Sequence, residues 1–189
     1  MDIEAPLRRQ IVQSLDTEFY VLEEVGVSNR DGDLRADLVA IPKDDYLDGA
    51  AIAFEVKAKT EAMNFQNWSK VFKQAADYVN SIVVDARLPR VRIAASFVFP
   101  SPPYVPHPAL AGNTGVTVDP WYRSDQLLQY AGMHHLAMQF RVGRAEVHKT
   151  TMTLSMGPQV LWVQGRGWFP KARDLLFSSR IGSRVQSRP

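Results

Sequence analysis

The sequence predicts an α/β domain: a mixed central β-sheet flanked by helices in the order α-β-β-β-α-β, then a less regular C-terminal extension containing a β-hairpin. Three observations predict it. Residues 91–99, VRIAASFVF, are an unbroken apolar run, the pattern of a strand covered on both faces. Residues 64–84 carry Phe65, Trp68, Phe72, Ala75, Ala76, Val79 and Ile82 at helical spacing, and a helix leading to such a strand implies a right-handed crossover to a parallel neighbour. Residues 34–41 and 50–58 are strand-like and close in sequence, so an antiparallel pair is the simplest arrangement for them.

Taken in order, residues 4–16 read as a short helix, because Leu7, Ile11 and Leu15 recur every four positions and Pro6 lies where a first turn tolerates it. Residues 18–27, EFYVLEEVGV, are aromatic and β-branched and read as a strand. Asn29 to Asp33, with Asp31-Gly32 at its centre, reads as a turn. LRADLVAI (34–41) and AAIAFEVKA (50–58) follow, separated by a polar loop from Pro42 to Gly49. After the helix at 64–84 and the strand at 91–99, six prolines between 100 and 120 mark a loop. A second helix is expected at about 124–134, then strands at 136–148 and 151–164, with Gly143-Arg144 as a turn and Pro158 breaking or edging the second strand. The implied organisation is an α/β domain over 1–165, with a core at 1–99 and an elaboration at 100–165, followed by a basic tail at 166–189.

Composition sets bounds. With 189 residues, 46% apolar and 22% charged, the chain suits one globular domain with a substantial core. Absence of cysteine excludes disulfides and thiolate zinc sites. The N-terminus lacks the basic-then-apolar order of a signal peptide, and no apolar run approaches a membrane span, so a cytoplasmic protein is expected. The net charge of +2 is uneven: residues 162–189 hold six basic residues against Asp174 alone. Such an end fits a polyanion, and its serines and glycine equally fit a solvated terminus.

The chemistry centres on residues 37–57. Alternate side chains of a strand share a face, so Ile52, Phe54 and Val56 point one way and Glu55, Lys57 and Lys59 the other. Charge on a buried strand is costly unless paired or metal-bound. An antiparallel neighbour brings Asp37 beside Glu55. Two carboxylates with an adjacent lysine make a hard-cation site of the kind magnesium uses, and such an ion polarises a phosphate oxygen and acidifies a bound water. Lys57 is then positioned to orient or activate that water, or to stabilise negative charge on the phosphorane-like transition state.

Asp37 followed by Glu55-Val56-Lys57, on the second and third strands, resembles the PD-(D/E)XK nuclease superfamily, with its restriction-endonuclease-like core, over residues 1–99. The resemblance implies Mg2+- or Mn2+-dependent cleavage of DNA, with RNA left open. It implies metal ligation by Asp37, Glu55 and the carbonyl of Val56, and Lys57 as the catalytic lysine. Glu4 falls where many members carry a further acid on the first helix; Glu24 is its rival, on a strand. Gln74-Ala75-Ala76-Asp77-Tyr78 matches the Gln-x-x-x-Tyr motif of exonuclease-like members, which makes Gln74 a catalytic candidate. The sequence departs from the superfamily's name at Ala36, where a proline would stand, and in the length of the 42–49 loop.

The candidate nucleic-acid contacts are Lys59, Tyr78, Arg166, Lys171, Arg173 and Arg180. A homodimer is expected if both strands of a duplex are cut. His134 and His135 are adjacent and point apart, which favours structural or surface roles over chelation; His148 reads likewise, and His107 is uninformative. Trp162 reads as core, and Trp168 is left open beside Gly165-Arg166-Gly167. A catalytically inactive nucleic-acid- or protein-binding module on the same fold is the alternative.

Overall fold

A computed structural model describes residues 3–58, 65–102, 124–148 and 150–177. Nine strands and four helices lie within them. The N-terminal half runs α1 (Ala5–Leu15), β1 (Phe19–Asn29), β2 (Gly32–Pro42), β3 (Ala51–Val56), α2 (Phe65–Tyr78), β4 (Ile82–Val83) and β5 (Ile93–Phe99). The C-terminal half runs α3 (Ser124–Gln139), β6 (Val142–His148), β7 (Thr151–Met156), β8 (Gln159–Val163), β9 (Gly167–Trp168) and α4 (Ala172–Phe177). All strands join one sheet in the order β4-β1-β2-β3-β5-β6-β7-β8-β9. The sheet is mixed: β3, β5 and β6 are parallel, and the other pairings are antiparallel. The expected antiparallel β2–β3 pair and parallel β3–β5 pair are both present.

Helices cover both faces. On one, Ile11 and Leu15 of α1 and Leu175 and Leu176 of α4 pack against Phe54, Phe97 and other inward residues. On the other, α2 lies over β3 and β5, with Trp68 and Phe72 packed against Tyr130 and Met133 of α3. Strand β3 is therefore sandwiched, and all six of its residues are buried. A strand so enclosed should be wholly apolar. Glu55 is its one ionisable residue.

Several expected boundaries move. The helix expected over 64–84 ends at Tyr78, where Asn80 takes a left-handed conformation (φ 69°) that closes helices. Ser81 then bonds back to Tyr78 and Asp77, and Ile82-Val83 joins β1 as an edge strand, as β-branched residues favour. The strand expected from 136 begins at Val142, because residues 136–139 continue α3 and Arg141 (φ 59°) ends the turn after it. Gly143-Arg144 is not a turn but lies inside β6. The segment expected as one strand at 151–164 is two, β7 and β8, broken at Gly157-Pro158. Residues 167–177, expected within a basic tail, form β9 and α4 instead, since Ala172, Leu175 and Leu176 bury themselves under the sheet. No helix among the described residues is long and apolar enough to cross a membrane.

Gly143 lies where β6 meets its neighbours. A Cβ there would stand 2.4 Å from the Ser155 carbonyl oxygen and 2.7 Å from the Phe97 ring. Backbone cannot yield as a flexible side chain can, so Gly143→Ala is expected to lower unfolding free energy by about 1–3 kcal/mol, as overpacking does. Urea unfolding checks this; an unchanged midpoint would show that β6 shifts freely.

Candidate active site

Register and backbone irregularity together gather charged side chains around Glu55 of β3. In the β2–β3 ladder Leu38 pairs with Phe54. The next residues along the two strands are Asp37 and Glu55, whose charges are close enough to interact. The ladder itself stops there, and the Val56 N–H donates instead to Asp37 Oδ2 at 2.7 Å. A backbone donor at a carboxylate both fixes its orientation and favours its charged form.

Glu55 is fully buried. The Tyr78 hydroxyl donates to its Oε2 at 2.6 Å, and the Lys57 ammonium stands 3.2 Å from its Oε1. Oε1 is itself fully enclosed, with that ammonium beside it. Burial, with a smaller contribution from the Asp37 charge, pushes the Glu55 carboxyl up to about 7, against the opposing effects of Tyr78 and Lys57. Burial raises Asp37 as well, opposed by the Val56 N–H and by Lys57. Burial works against the charged form of Lys57, but the carboxylates of Glu55, Asp37 and Glu4 outweigh it and raise its pKa. Lys57 is therefore an ammonium at neutral pH.

Glu4, just before α1, completes the ring: its Oε2 is 3.8 Å from Lys57 Nζ, and its Oε1 accepts the Ala58 N–H at 3.2 Å. The expected residues Asp37, Glu55, Val56, Lys57 and Glu4 thus converge. Gln74 is exposed on α2 and reaches Glu55 only through Tyr78, donating to its hydroxyl at 3.0 Å. Tyr78 differs from its expected role as a nucleic-acid contact. It is fully buried, its hydroxyl lies on Glu55 and on the Arg35 carbonyl at 3.0 Å, and that burial raises its pKa. It holds a carboxylate and has no face for a base.

Other expected contacts lie apart. Lys59 and Arg180 fall outside the described residues. Arg166 and Lys171 are exposed beside β9, the last strand in the sheet order. Arg173 is engaged locally: its guanidinium pairs with Asp48, and its N–H donates to the Tyr46 hydroxyl. Trp162 is buried as expected, and Trp168 stacks on Tyr46 with ring centres 5.1 Å apart. His134 is buried, with Nε2 3.0 Å from the Pro102 carbonyl oxygen, while His135 is exposed.

Sequence reasoning set Glu24 aside because it lies on a strand. Glu24 stands opposite Asp37, between the paired steps Glu23–Leu38 and Val25–Ala36, with φ 55°. Non-glycine residues avoid that conformation, at a cost of about 1–2 kcal/mol. The irregularity has a structural effect on both strands. Leu34 and Ala36 before the step, and Val39 and Ile41 after it, pack on the same side. Side-chain alternation therefore shifts by one at Asp37. The Glu24 carboxylate is held by Arg35 Nε at 2.7 Å and Arg8 Nη1 at 3.5 Å. Only a glutamate amid valines at mid-strand hinted at this in the sequence.

Among the described residues, no group of three or more histidine or acidic side chains is gathered to hold a metal ion by itself. No family model matches the chain, and no curated protein or solved structure matches it significantly.

Proposed function

We propose that this chain is a divalent-metal-dependent nuclease that hydrolyses DNA phosphodiester bonds, on a restriction-endonuclease-like core. The observation that carries the reading is Glu55: a carboxylate fully buried on a central strand, near the Asp37 carboxylate, with an ammonium 3.2 Å from its Oε1. Burying such a group costs stability unless it has a task.

The donor set fits Mg2+ or Mn2+. Magnesium is commonly held by one or two carboxylates and keeps several waters, so a third clustered acid is not required. Asp37, Glu55 and the Val56 carbonyl would hold it, with Glu4 in support. When bound, such an ion supplies Lewis acidity toward a phosphate oxygen and a more acidic water. The chain's own residues do the rest. Tyr78 and Gln74 hold Glu55, and the Val56 N–H holds Asp37. Hydrolysis joins the water oxygen to phosphorus and breaks one P–O bond, the water losing a proton and the departing oxygen gaining one. Lys57, charged at neutral pH, serves as a fixed positive charge for the phosphoryl oxygens and the attacking oxygen rather than as a base.

Thermal unfolding with increasing Mg2+ or Mn2+ tests the centre. A ligand that binds only the folded state raises the melting temperature. The rise is expected in the native protein and absent in Glu55→Gln. Cleavage of labelled single- and double-stranded DNA, with RNA in parallel, tests the activity. A melting temperature indifferent to both metals, together with intact substrates, would remove the proposal.

One observation favours a second reading, a binding module without catalysis. Lys57 is already paired with both Glu55 and Glu4, as a spent lysine would be. Nucleic-acid binding that survives EDTA, with no cleavage in any divalent metal, selects it.

A further inference from the structure

We propose that Arg35 grips a backbone phosphate of a nucleic-acid strand next to the phosphodiester being cleaved, and that Glu24 aims it. The proposal deepens the nuclease reading and rests on it.

Arg35 stands two residues before Asp37 on β2, a separation of about 6.5–7 Å along a strand. Its side chain is 68% exposed. A guanidinium on a strand is ordinarily free to sweep a wide arc. Here its Nε is fixed 2.7 Å from Glu24 Oε2, while Glu24 Oε1 is held 3.5 Å from Nη1 of Arg8, whose side chain is nearly buried. Arg8 is itself anchored on Glu23, with Nε 3.4 Å from Oε2. A guanidinium carries five donors in a rigid fork, so a phosphate can be taken by two of them while Nε stays on Glu24.

Two features separate this from an ordinary surface ion pair. Exposed pairs contribute little to stability, so the pair does not offset the left-handed backbone at Glu24 (φ 55°). That conformation falls at the step opposite Asp37. The Arg35 backbone is also tied to the site, since its carbonyl lies 3.0 Å from the Tyr78 hydroxyl that holds Glu55. The fork is thus held by Glu24 on the strand that carries Asp37, and its backbone is joined to the clamp on Glu55.

The test compares native protein with Arg35→Ala and Glu24→Gly on an oligonucleotide and on bis(p-nitrophenyl) phosphate, a diester with no flanking phosphate. Glycine accepts the positive φ, so Glu24→Gly keeps the backbone and removes only the carboxylate. Both variants are expected to raise KM for the oligonucleotide several-fold with kcat kept within about twofold, the split expected on losing a uniform binding contact. Both should match the native protein on the small diester. Arg35→Ala should also flatten the log–log salt dependence of oligonucleotide binding by about 0.7–0.9, one phosphate contact. An unchanged KM and salt slope in Arg35→Ala would overturn the proposal and leave the nuclease reading standing, because native cleavage is measured alongside. Equal loss on both substrates would overturn it by placing Arg35 in the chemistry or the folding. A native-like Glu24→Gly would overturn the aiming role, and a native protein that cleaves neither substrate would remove both readings.

Discussion

Lys57→Ala is expected to reduce DNA cleavage by about a hundred- to a thousandfold, the loss typical when one preorganised electrostatic group is removed from a reacting centre. The geometry makes the expectation specific. Lys57 is the ammonium 3.2 Å from Glu55 and 3.8 Å from Glu4, so its charge acts directly on both carboxylates. Arg8 and Arg35 are engaged with Glu23 and Glu24. Without Lys57 the buried carboxylate loses its compensating charge and is protonated more readily, so the fold survives at neutral pH with Glu55 neutral. Lys57→Arg keeps the charge on a larger group and is expected to retain part of the activity. Single-turnover cleavage of a labelled duplex reads the effect. Rates within twofold of the native protein would remove Lys57 from the chemistry.

In the absence of divalent metal, stability is expected to fall as pH rises. Glu55 titrates near 4.5 in an open chain and at about 7 in the fold, chiefly because it is buried. A folded-state pKa above the unfolded one means the fold prefers the protonated acid. Its stabilising contribution is complete below pH 4.5, declines as pH climbs through that value, and is gone above about 7. The interval corresponds to about 3 kcal/mol. Asp37 is raised by burial too and acts in the same direction. Urea unfolding in EDTA at pH 5 and pH 8 measures the difference. Glu55→Gln, a neutral isostere, should lose most of it and be more stable than the native protein at pH 8. Added Mg2+ should restore the native protein at pH 8, since the ion requires the charged carboxylate. A flat pH profile in EDTA, or an equally steep one in Glu55→Gln, would show that Glu55 does not carry the burial cost.

The α2 boundary and the Glu24 step mark where sequence reading ran out. Apolar spacing located α2, yet Val79 and Ile82 continue that spacing across a helix end that only Asn80 in a left-handed conformation reveals. Lys171 and Arg173 looked like part of a charged tail, because six basic residues outweigh two buried leucines in composition; the leucines decide the fold, since Leu175 and Leu176 have a sheet face to cover. The carboxylates were legible because a charged residue in an apolar strand is conspicuous wherever it occurs.

By itself the sequence singled out Asp37, Glu55 and Lys57 as the candidates for the chemistry and set them on neighbouring extended segments of a mixed sheet. Period and residue type are local properties, and hydrophobic alternation records them directly. Only the tertiary structure decided that Tyr78 is a buried clamp on Glu55, that Glu24 meets Asp37 across a distorted step, and that Arg35 is held beside them. Those relations depend on which strands pair, in what register, and where the backbone departs from regularity. Each is set by the packing of segments far apart in the chain, which no local pattern encodes.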